Sequence, residues 1–218
     1  MEKINAAAAK QMILKAADSI IENKPLLTEV DSHIGDGDHG IGMATGMTKV
    51  REVLSNKSEF SSVYEPFALA GNAMISSMGG ASGVIFGSLF LAGAGRMPAQ
   101  QEMSTDDFSE MLGYSLEAIQ KRGKANPGDK TMVDALYPAV QACRGHTFET
   151  FEELLSAAER AAQEGVEATK QMQAKFGRAK SLMGRAVGYQ DAGATSVWLI
   201  FKAMKAYFAE NREGMQTK

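Results

Sequence analysis

The sequence has 218 residues, of which 44% are hydrophobic and 22% are charged, and its formal net charge is −3 at pH 7. These proportions are typical of a single globular domain, and the slight negative charge argues against nucleic acid or an anionic membrane as the partner. The one cysteine cannot form an internal disulfide, and charged residues interrupt the Ala-rich residues 1–24, so we expect a cytoplasmic protein that does not enter membranes.

Apolar residues recur at helical spacing in eight segments, and the alternation typical of strands is nearly absent. In chain order, the eight predicted helices contain residues 13–21, 43–54, 63–74, 82–95, 108–116, 133–140, 151–162 and 197–204. The fourth is apolar on every side, which predicts the most buried helix. No linker rich in Pro or Ser divides the chain and no repeat is evident, so we predict one all-α domain over residues 1–218.

Short connections between consecutive helices favour an antiparallel, up-and-down array. In such an array, the loops before the second, fourth, sixth and eighth predicted helices lie at the same end. These four loops are also the richest in glycine and polar residues, and they cover residues 31–40, 79–82, 123–130 and 177–193. Each helix that follows begins with unpaired N–H groups and about half a positive charge. The pattern therefore predicts an anion site, most simply for phosphate.

The first loop contains Asp31, Asp36 and Asp38 among glycines. Two carboxylates ~4 Å apart near a surface repel by about 4 kcal/mol, so their convergence needs a cation. Three oxygen donors favour magnesium over zinc. A solvated turn is the alternative, because Asp and Gly are common in turns. The adjacent His39, which could donate to a phosphate or transfer a proton, and the helix predicted from Gly40 favour the metal site.

The other three loops offer weaker signals. Residues 76–83 place glycines beside hydroxyls at a helix start, as in phosphate cradles, although this stretch alone favours a tight interhelical turn. Residues 123–132 contain an ordinary Pro-Gly-Asp turn, after which Met132 could pack on a flat base. The fourth loop is long enough to suggest a lid or binding loop. Its Arg178 could bind phosphates, or could be a solvated surface charge.

Four motifs occur in order along the chain, and they are specific as a set. They are Gly-Asp-Gly-Asp-His-Gly at 35–40, Gly-Gly-Ala-Ser-Gly at 79–83, Arg-Gly-Lys-Ala-Asn-Pro-Gly-Asp-Lys-Thr-Met at 122–132, and Gln-Asp-Ala-Gly-Ala-Thr-Ser at 190–196. Together they resemble the nucleotide-binding L subunit of dihydroxyacetone kinases over essentially the whole chain. One departure is Ala192, where many relatives carry proline. The resemblance implies an eight-helix antiparallel barrel with the nucleotide across one end.

The resemblance also implies the composition of the site. Asp31, Asp36 and Asp38 would hold magnesium, as two ions, and the nucleotide would be ADP or ATP. The residues implied around the nucleotide are His39, Gly40, Ile41, Gly42, Ala81, Ser82, Gly123, Met132, Arg178, Asp191 and Gly193. His39 is the residue that we predict to be catalytic.

In the family, the L subunit transfers a phosphoryl group to a ketose that a partner K subunit holds covalently through a histidine. One branch keeps a tightly bound ADP that an M subunit of the phosphotransferase system recharges, and other branches consume ATP. The motifs do not separate dihydroxyacetone from erythrulose as the acceptor. Two other functions stay open at this stage: a metal-dependent phosphohydrolase, and a nucleotide-binding regulator without catalysis.

Overall fold

The computed structural model describes residues 1–216, with side chains except at positions 182, 183 and 212–216. Within this part of the chain there are nine α-helices, one 3₁₀ helix at Arg178–Ala186 and two short strands, β1 (Lys3–Asn5) and β2 (Glu102–Ser104). The strands pair antiparallel, with Ile4 opposite Met103. The α-helices are α1 (Ala6–Glu22), α2 (Lys24–Ser32), α3 (His39–Ser55), α4 (Glu65–Ser77), α5 (Gly80–Ala94), α6 (Thr105–Gly123), α7 (Val133–Arg144), α8 (Phe151–Thr169) and α9 (Ala192–Gln216).

Eight of these helices form a closed ring. From α3 to α9, each helix packs against the next one in the chain, while α1 packs against both α3 and α9 and so closes the ring. The ring encloses one large core of apolar side chains. The prediction of an all-α fold is confirmed, and the eight predicted helices correspond to α1 and α3–α9. In the described part of the chain, no helix combines the length and the hydropathy that crossing a bilayer requires.

The ninth helix, α2, was missed by the sequence analysis, and so were the two strands. Only Leu27 and Val30 of α2 are buried, which is too few to establish a helical period. Pro25 occupies its first turn, where the missing N–H of proline costs nothing. Asp31 lies on the last turn of α2, so the predicted loop at residues 31–40 begins later than we expected. The helix holds the backbone of Asp31 more rigidly than a loop would.

Local sequence sets the start of two long helices. Ser104 caps α6, where its hydroxyl accepts from the Asp107 amide and the Asp107 carboxylate accepts from the Ser104 amide. Thr150 and Glu153 form the same reciprocal arrangement at the start of α8. Each pair satisfies two backbone donors that a helix end would otherwise leave without partners.

Glycine lets α7 and α8 approach closely. A Cβ built on Gly165 of α8 would overlap the carbonyl oxygen of Asp134 and lie 2.9 Å from the Cα of Ala135, both in α7. These neighbours are backbone atoms, which cannot move aside as a flexible side chain can. Gly42 of α3 is different, because the nearest atom to an added Cβ would be the Cε of Met78 at 3.8 Å.

We expect Gly165→Ala to lower the free energy of unfolding by about 1–3 kcal/mol, the usual cost of overpacking. The matched variant Gly42→Ala should be neutral or stabilising by up to ~1 kcal/mol, because alanine favours a helix and has room there. Urea denaturation followed by circular dichroism measures both. Equal stability of the two variants would contradict the close approach of α7 and α8.

Candidate functional site

One cavity of about 650 Å³ lies at the end of the ring where α3, α5, α7 and α9 begin. All four of the glycine-rich loops contribute to its wall, as the arrangement of an up-and-down array predicts. The predicted site residues that line it are Asp31, Asp36, Asp38, His39, Ala81, Ser82, Gly123, Met132, Arg178, Asp191 and Gly193. This volume lies within the range of small-molecule sites.

The three acidic side chains converge at the wall of this cavity. One carboxylate oxygen from each of Asp31, Asp36 and Asp38 lies within 4.8 Å of the other two. The chain turns tightly to achieve this, because the Gly35 amide donates to the Asp31 carbonyl at 2.6 Å. A Cβ on Gly35 would collide with the Asp31 carboxylate, and Gly37 has a positive φ of 76°. Three oxygen donors at this spacing fit a hard divalent cation such as Mg²⁺.

Arg178 of the 3₁₀ helix brings a positive charge to the carboxylates. Its guanidinium lies 2.7 Å from Asp36 and 3.5 Å from Asp38. Partial burial, together with the neighbouring Asp36, raises the pKa of Asp38, and Arg178 acts in the opposite direction. The three carboxylates therefore attract positive charge. The exposed side chain of Arg178, at the edge of the cavity, supplies part of that charge.

His39, the predicted catalytic residue, lines the cavity but is tied to α9. Its Nε2 hydrogen bonds with the Ser196 hydroxyl at 2.8 Å, and the ring also hydrogen bonds to the backbone of Ala192. Burial lowers the pKa of His39 below its usual value of 6.5, and the nearby Asp31 opposes this. The imidazole is therefore neutral at pH 7 and suited to hydrogen bonding. Its role in proton transfer stays a prediction.

Three predicted nucleotide-binding residues lie away from the cavity wall. Gly40 is buried against α2, where a Cβ would come within 2.7 Å of the Thr28 amide nitrogen. Ile41 has 52% of its surface exposed, and the Gly42 amide donates to the Asp38 carbonyl at 2.9 Å. These residues form the first turn of α3, and their contact with a nucleotide stays a prediction.

Lys130 is a cavity-lining residue that the sequence analysis did not single out. Only 1% of its surface is exposed, and its ammonium group donates to the backbone carbonyls of Thr169 and Tyr189. Its φ of 59° lies in the left-handed region, which costs a residue other than glycine about 1–2 kcal/mol. A lysine after Pro-Gly-Asp normally indicates an exposed turn, so no signal in the sequence predicts its burial.

Asp191 is the most strongly perturbed carboxyl group of the site. Its Oδ2 accepts from the Ala194 amide at 2.7 Å at the start of α9, and its own amide donates to the Thr169 hydroxyl at 2.9 Å. Burial raises the pKa of Asp191 to about 7, while the hydrogen bond from Ala194 and the charge of Lys130 act in the opposite direction. The group therefore exchanges a proton near neutral pH.

Comparison with known proteins identifies the family. The family model described as "DAK2 domain" matches residues 33–206. The chain is 36% identical to "PEP-dependent dihydroxyacetone kinase 1, ADP-binding subunit DhaL" of Listeria innocua over 187 residues, which are 86% of this chain and 89% of the relative. The chain belongs to the DAK2 domain family.

Other DAK2 proteins agree with this assignment. The "PEP-dependent dihydroxyacetone kinase, ADP-binding subunit DhaL" of Escherichia coli is 34% identical over 194 residues, which are 88% of this chain and 92% of the relative. A crystal structure of the dihydroxyacetone kinase from C. freundii in complex with AMP-PNP and Mg²⁺ matches with a TM-score of 0.69 and 25% identity, over 94% of this chain and 35% of that chain. The DAK2 chain thus spans nearly all of the separate subunits and about a third of the C. freundii kinase. The resemblance to the L subunits is confirmed.

The carboxyl group of Asp191 should give the stability of the protein a pH dependence in magnesium-free buffer. The folded protein holds this proton up to about pH 7, whereas the unfolded chain releases it near the ordinary value of 3.8. The stabilisation is therefore complete below the unfolded pKa and is lost as the pH rises through the folded pKa. Asp191→Asn keeps an acceptor for Ala194 but does not titrate.

Urea denaturation of the wild type and of Asp191→Asn, across the range from about pH 4 to pH 8, measures this contribution. Relative to the variant, the wild type should lose up to a few kcal/mol over this range, since one pKa unit corresponds to about 1.4 kcal/mol. Parallel stability curves for the two proteins would show that Asp191 is charged throughout.

Proposed function

We propose that this chain is the nucleotide-binding subunit of a dihydroxyacetone-type kinase, which transfers a phosphoryl group from a bound nucleotide to a ketose. One observation carries the proposal: three converging carboxylates share a single cavity with the starts of four helices, in a chain whose relatives are named ADP-binding subunits of such kinases. Phosphoryl transfer depends mostly on positioning and charge neutralisation, and this arrangement provides both.

We place magnesium, as two ions, at Asp31, Asp36 and Asp38. When bound, Mg²⁺ neutralises the charge of the nucleotide phosphates. Two ions bring +4, against −3 from the carboxylates and about −3 from ADP. Arg178 and the helix starts are within the same cavity to balance the remainder. The family resemblance and the spacing of the oxygens support this assignment, and the complex of the C. freundii kinase contains Mg²⁺ with AMP-PNP.

The phosphates would lie between the starts of α3 and α5, where Ala81 and Ser82 line the cavity. The base would lie against Met132, which is next to Gly193 and lines the same cavity as Gly123. At Gly193 an added Cβ would be 3.0 Å from Asp191 Oδ2 and 3.3 Å from the Cβ of Met132, so a larger side chain would require these neighbours to shift. His39 would act as a neutral hydrogen-bonding group next to the phosphates, fixed in place by Ser196.

The ketose would arrive on a partner K subunit, and an M subunit of the phosphotransferase system is our proposed donor for recharging a bound ADP. The names of the Listeria and Escherichia relatives describe subunits of PEP-dependent kinases, which supports partner subunits in general. Four large apolar residues that lie within the four glycine-rich loops or just after them are exposed by 38–52%, which suits a surface for docking: Ile41, Val84, Val187 and Tyr189. The relatives favour this function over a phosphohydrolase or a regulator without catalysis.

We expect Asp36→Asn to lower the affinity for ADP in the presence of Mg²⁺ by about 100-fold or more, because it removes one of the metal-binding carboxylates. The matched control is Asp18→Asn, which removes an exposed carboxylate paired with Arg51 on the outer surface. Native mass spectrometry with added MgCl₂ and ADP measures retention, and circular dichroism verifies that both variants stay helical. Equal retention by the two variants would exclude Asp36 as a magnesium ligand.

A transfer assay tests the reaction itself. Purified protein is mixed with a K subunit and either dihydroxyacetone or erythrulose, with ATP or a phosphorylated M subunit as the donor. We expect a phosphorylated ketose only when the K subunit is present, and little release of phosphate without it. Rapid hydrolysis of ATP by the chain alone would instead support the phosphohydrolase.

A further inference from the structure

The segment that carries Arg178 lies over the cavity. Both of its ends are attached to the same short turn of the chain. We call residues 176–188 the lid segment. Its second residue, Gly177, has a φ of 65°, and its last residue, Gly188, has a φ of 98°. Both ends therefore have backbone conformations that favour glycine. Phe176, Arg178 and Ala179 of this segment line the cavity.

Asp129 holds the chain just before the lid segment. The Lys175 amide donates to the Asp129 carbonyl at 3.1 Å, and the Lys175 ammonium lies 2.7 Å from Asp129 Oδ1. The Asp129 side chain is only 8% exposed, and its other oxygen accepts from the Asn126 amide at 2.7 Å. The Asp129 carboxylate is therefore held in place by its own turn, independently of its ion pair with Lys175.

Lys130, the next residue, holds the chain just after the lid segment. Its buried ammonium donates to the Tyr189 carbonyl and, at 2.6 Å, to the Thr169 carbonyl at the end of α8. The Gly188 amide adds a bond to the Lys170 carbonyl at 2.7 Å. Lys130 thus joins the end of the lid segment to a helix of the ring.

The turn that presents these two residues is itself braced. Asp134, at the start of α7, accepts hydrogen bonds from the amides of Gly128 and Thr131, which flank Asp129 and Lys130. Between its two attachments, the lid segment packs Ala179 and Ala186 against Ile34 of the carboxylate loop. Arg178 directly precedes Ala179, and its guanidinium meets Asp36 and Asp38.

We propose that Asp129 and Lys130 are positioning residues, which hold the two ends of the lid segment so that Arg178 stays over the carboxylates and the phosphate site. This inference rests on the proposed function, because it takes the lid segment to close over a bound nucleotide. Neither residue needs to touch the nucleotide to act in this way. Loss of either attachment should loosen the lid segment and speed the release of ADP, without changing the helical ring.

Three variants test the two attachments separately. Lys175→Met and Asp129→Asn each remove the ion pair at the first end, and Lys130→Met removes the buried donor at the second end. The matched control is Lys170→Met, which breaks an exposed ion pair with Glu167 of α8. Only the backbone carbonyl of Lys170 takes part in an attachment, and the substitution keeps it. Lys175 is 65% exposed, so its replacement does not threaten folding.

Hydrogen exchange of the backbone amides of residues 178–186, followed by mass spectrometry, is measured without ligand and with MgCl₂ and ADP. We expect exchange and ADP dissociation to be about threefold faster in Lys175→Met and Asp129→Asn, as for the loss of one ion pair. Lys130→Met should be about tenfold faster or more, because two carbonyls lose a charged donor. Exchange in α8 and the melting temperature should stay as in the wild type for Lys175→Met. Lys170→Met should match the wild type throughout.

The double variant Asp129→Asn/Lys175→Met should exchange no faster than the faster single variant, because the two side chains form one attachment. Wild-type exchange of residues 178–186 in folded Lys175→Met and Asp129→Asn would overturn the proposal, and so would faster exchange spread equally over α8. If Lys130→Met does not fold, Lys175→Met and Asp129→Asn still test the proposal. A wild type that fails to bind ADP would refute the proposed function, while the comparison without ligand would still test the attachments.

Discussion

Repulsion among three carboxylates is the constraint on which this site depends. Asp31, Asp36 and Asp38 place negative charges within 4.8 Å of one another, an arrangement that opposes folding unless positive charge balances it. The protein keeps them together with a helix end, a tight glycine turn and the guanidinium of Arg178. The free energy that holds them there comes from the packed ring of helices behind the cavity. At the proposed magnesium site, a divalent cation would relieve a repulsion that the fold maintains, which would favour its binding.

The helices and the end of the ring that carries the site were predictable, because both follow from periodic patterns. Burial of one face repeats every three or four residues, and an up-and-down array places alternate loops together. The cavity accordingly includes residues from all four predicted loops. Short elements escaped prediction for the same reason: α2, with nine residues, contains too few buried positions for a period to emerge. The position of Asp31 on its last turn could therefore not be read from the sequence.

Individual roles within the site were less predictable, because they depend on tertiary contacts. Gly40 belongs to a motif that resembles a nucleotide-binding turn, yet its lack of a side chain is required by α2, which packs directly on it. Lys130 looks like a solvated charge after a turn, and only its distant acceptors, Thr169 and Tyr189, make its burial tolerable. Likewise, the pKa of Asp191 depends on its burial beside residues from other loops. The residues adjacent in sequence do not indicate which distant residues will be in contact in the fold.

Closure of the ring through α1 and α9 also affects how the protein is made. Helix α9 supplies the wall at Gly193 and the hydroxyl of Ser196 that holds His39, and it follows the other eight described α-helices in the chain. Until it docks against α1 and α8, the nascent chain exposes the apolar edges of both neighbours and has an incomplete cavity. The proposed nucleotide site is therefore complete only after α9 has been synthesised and has packed against its neighbours.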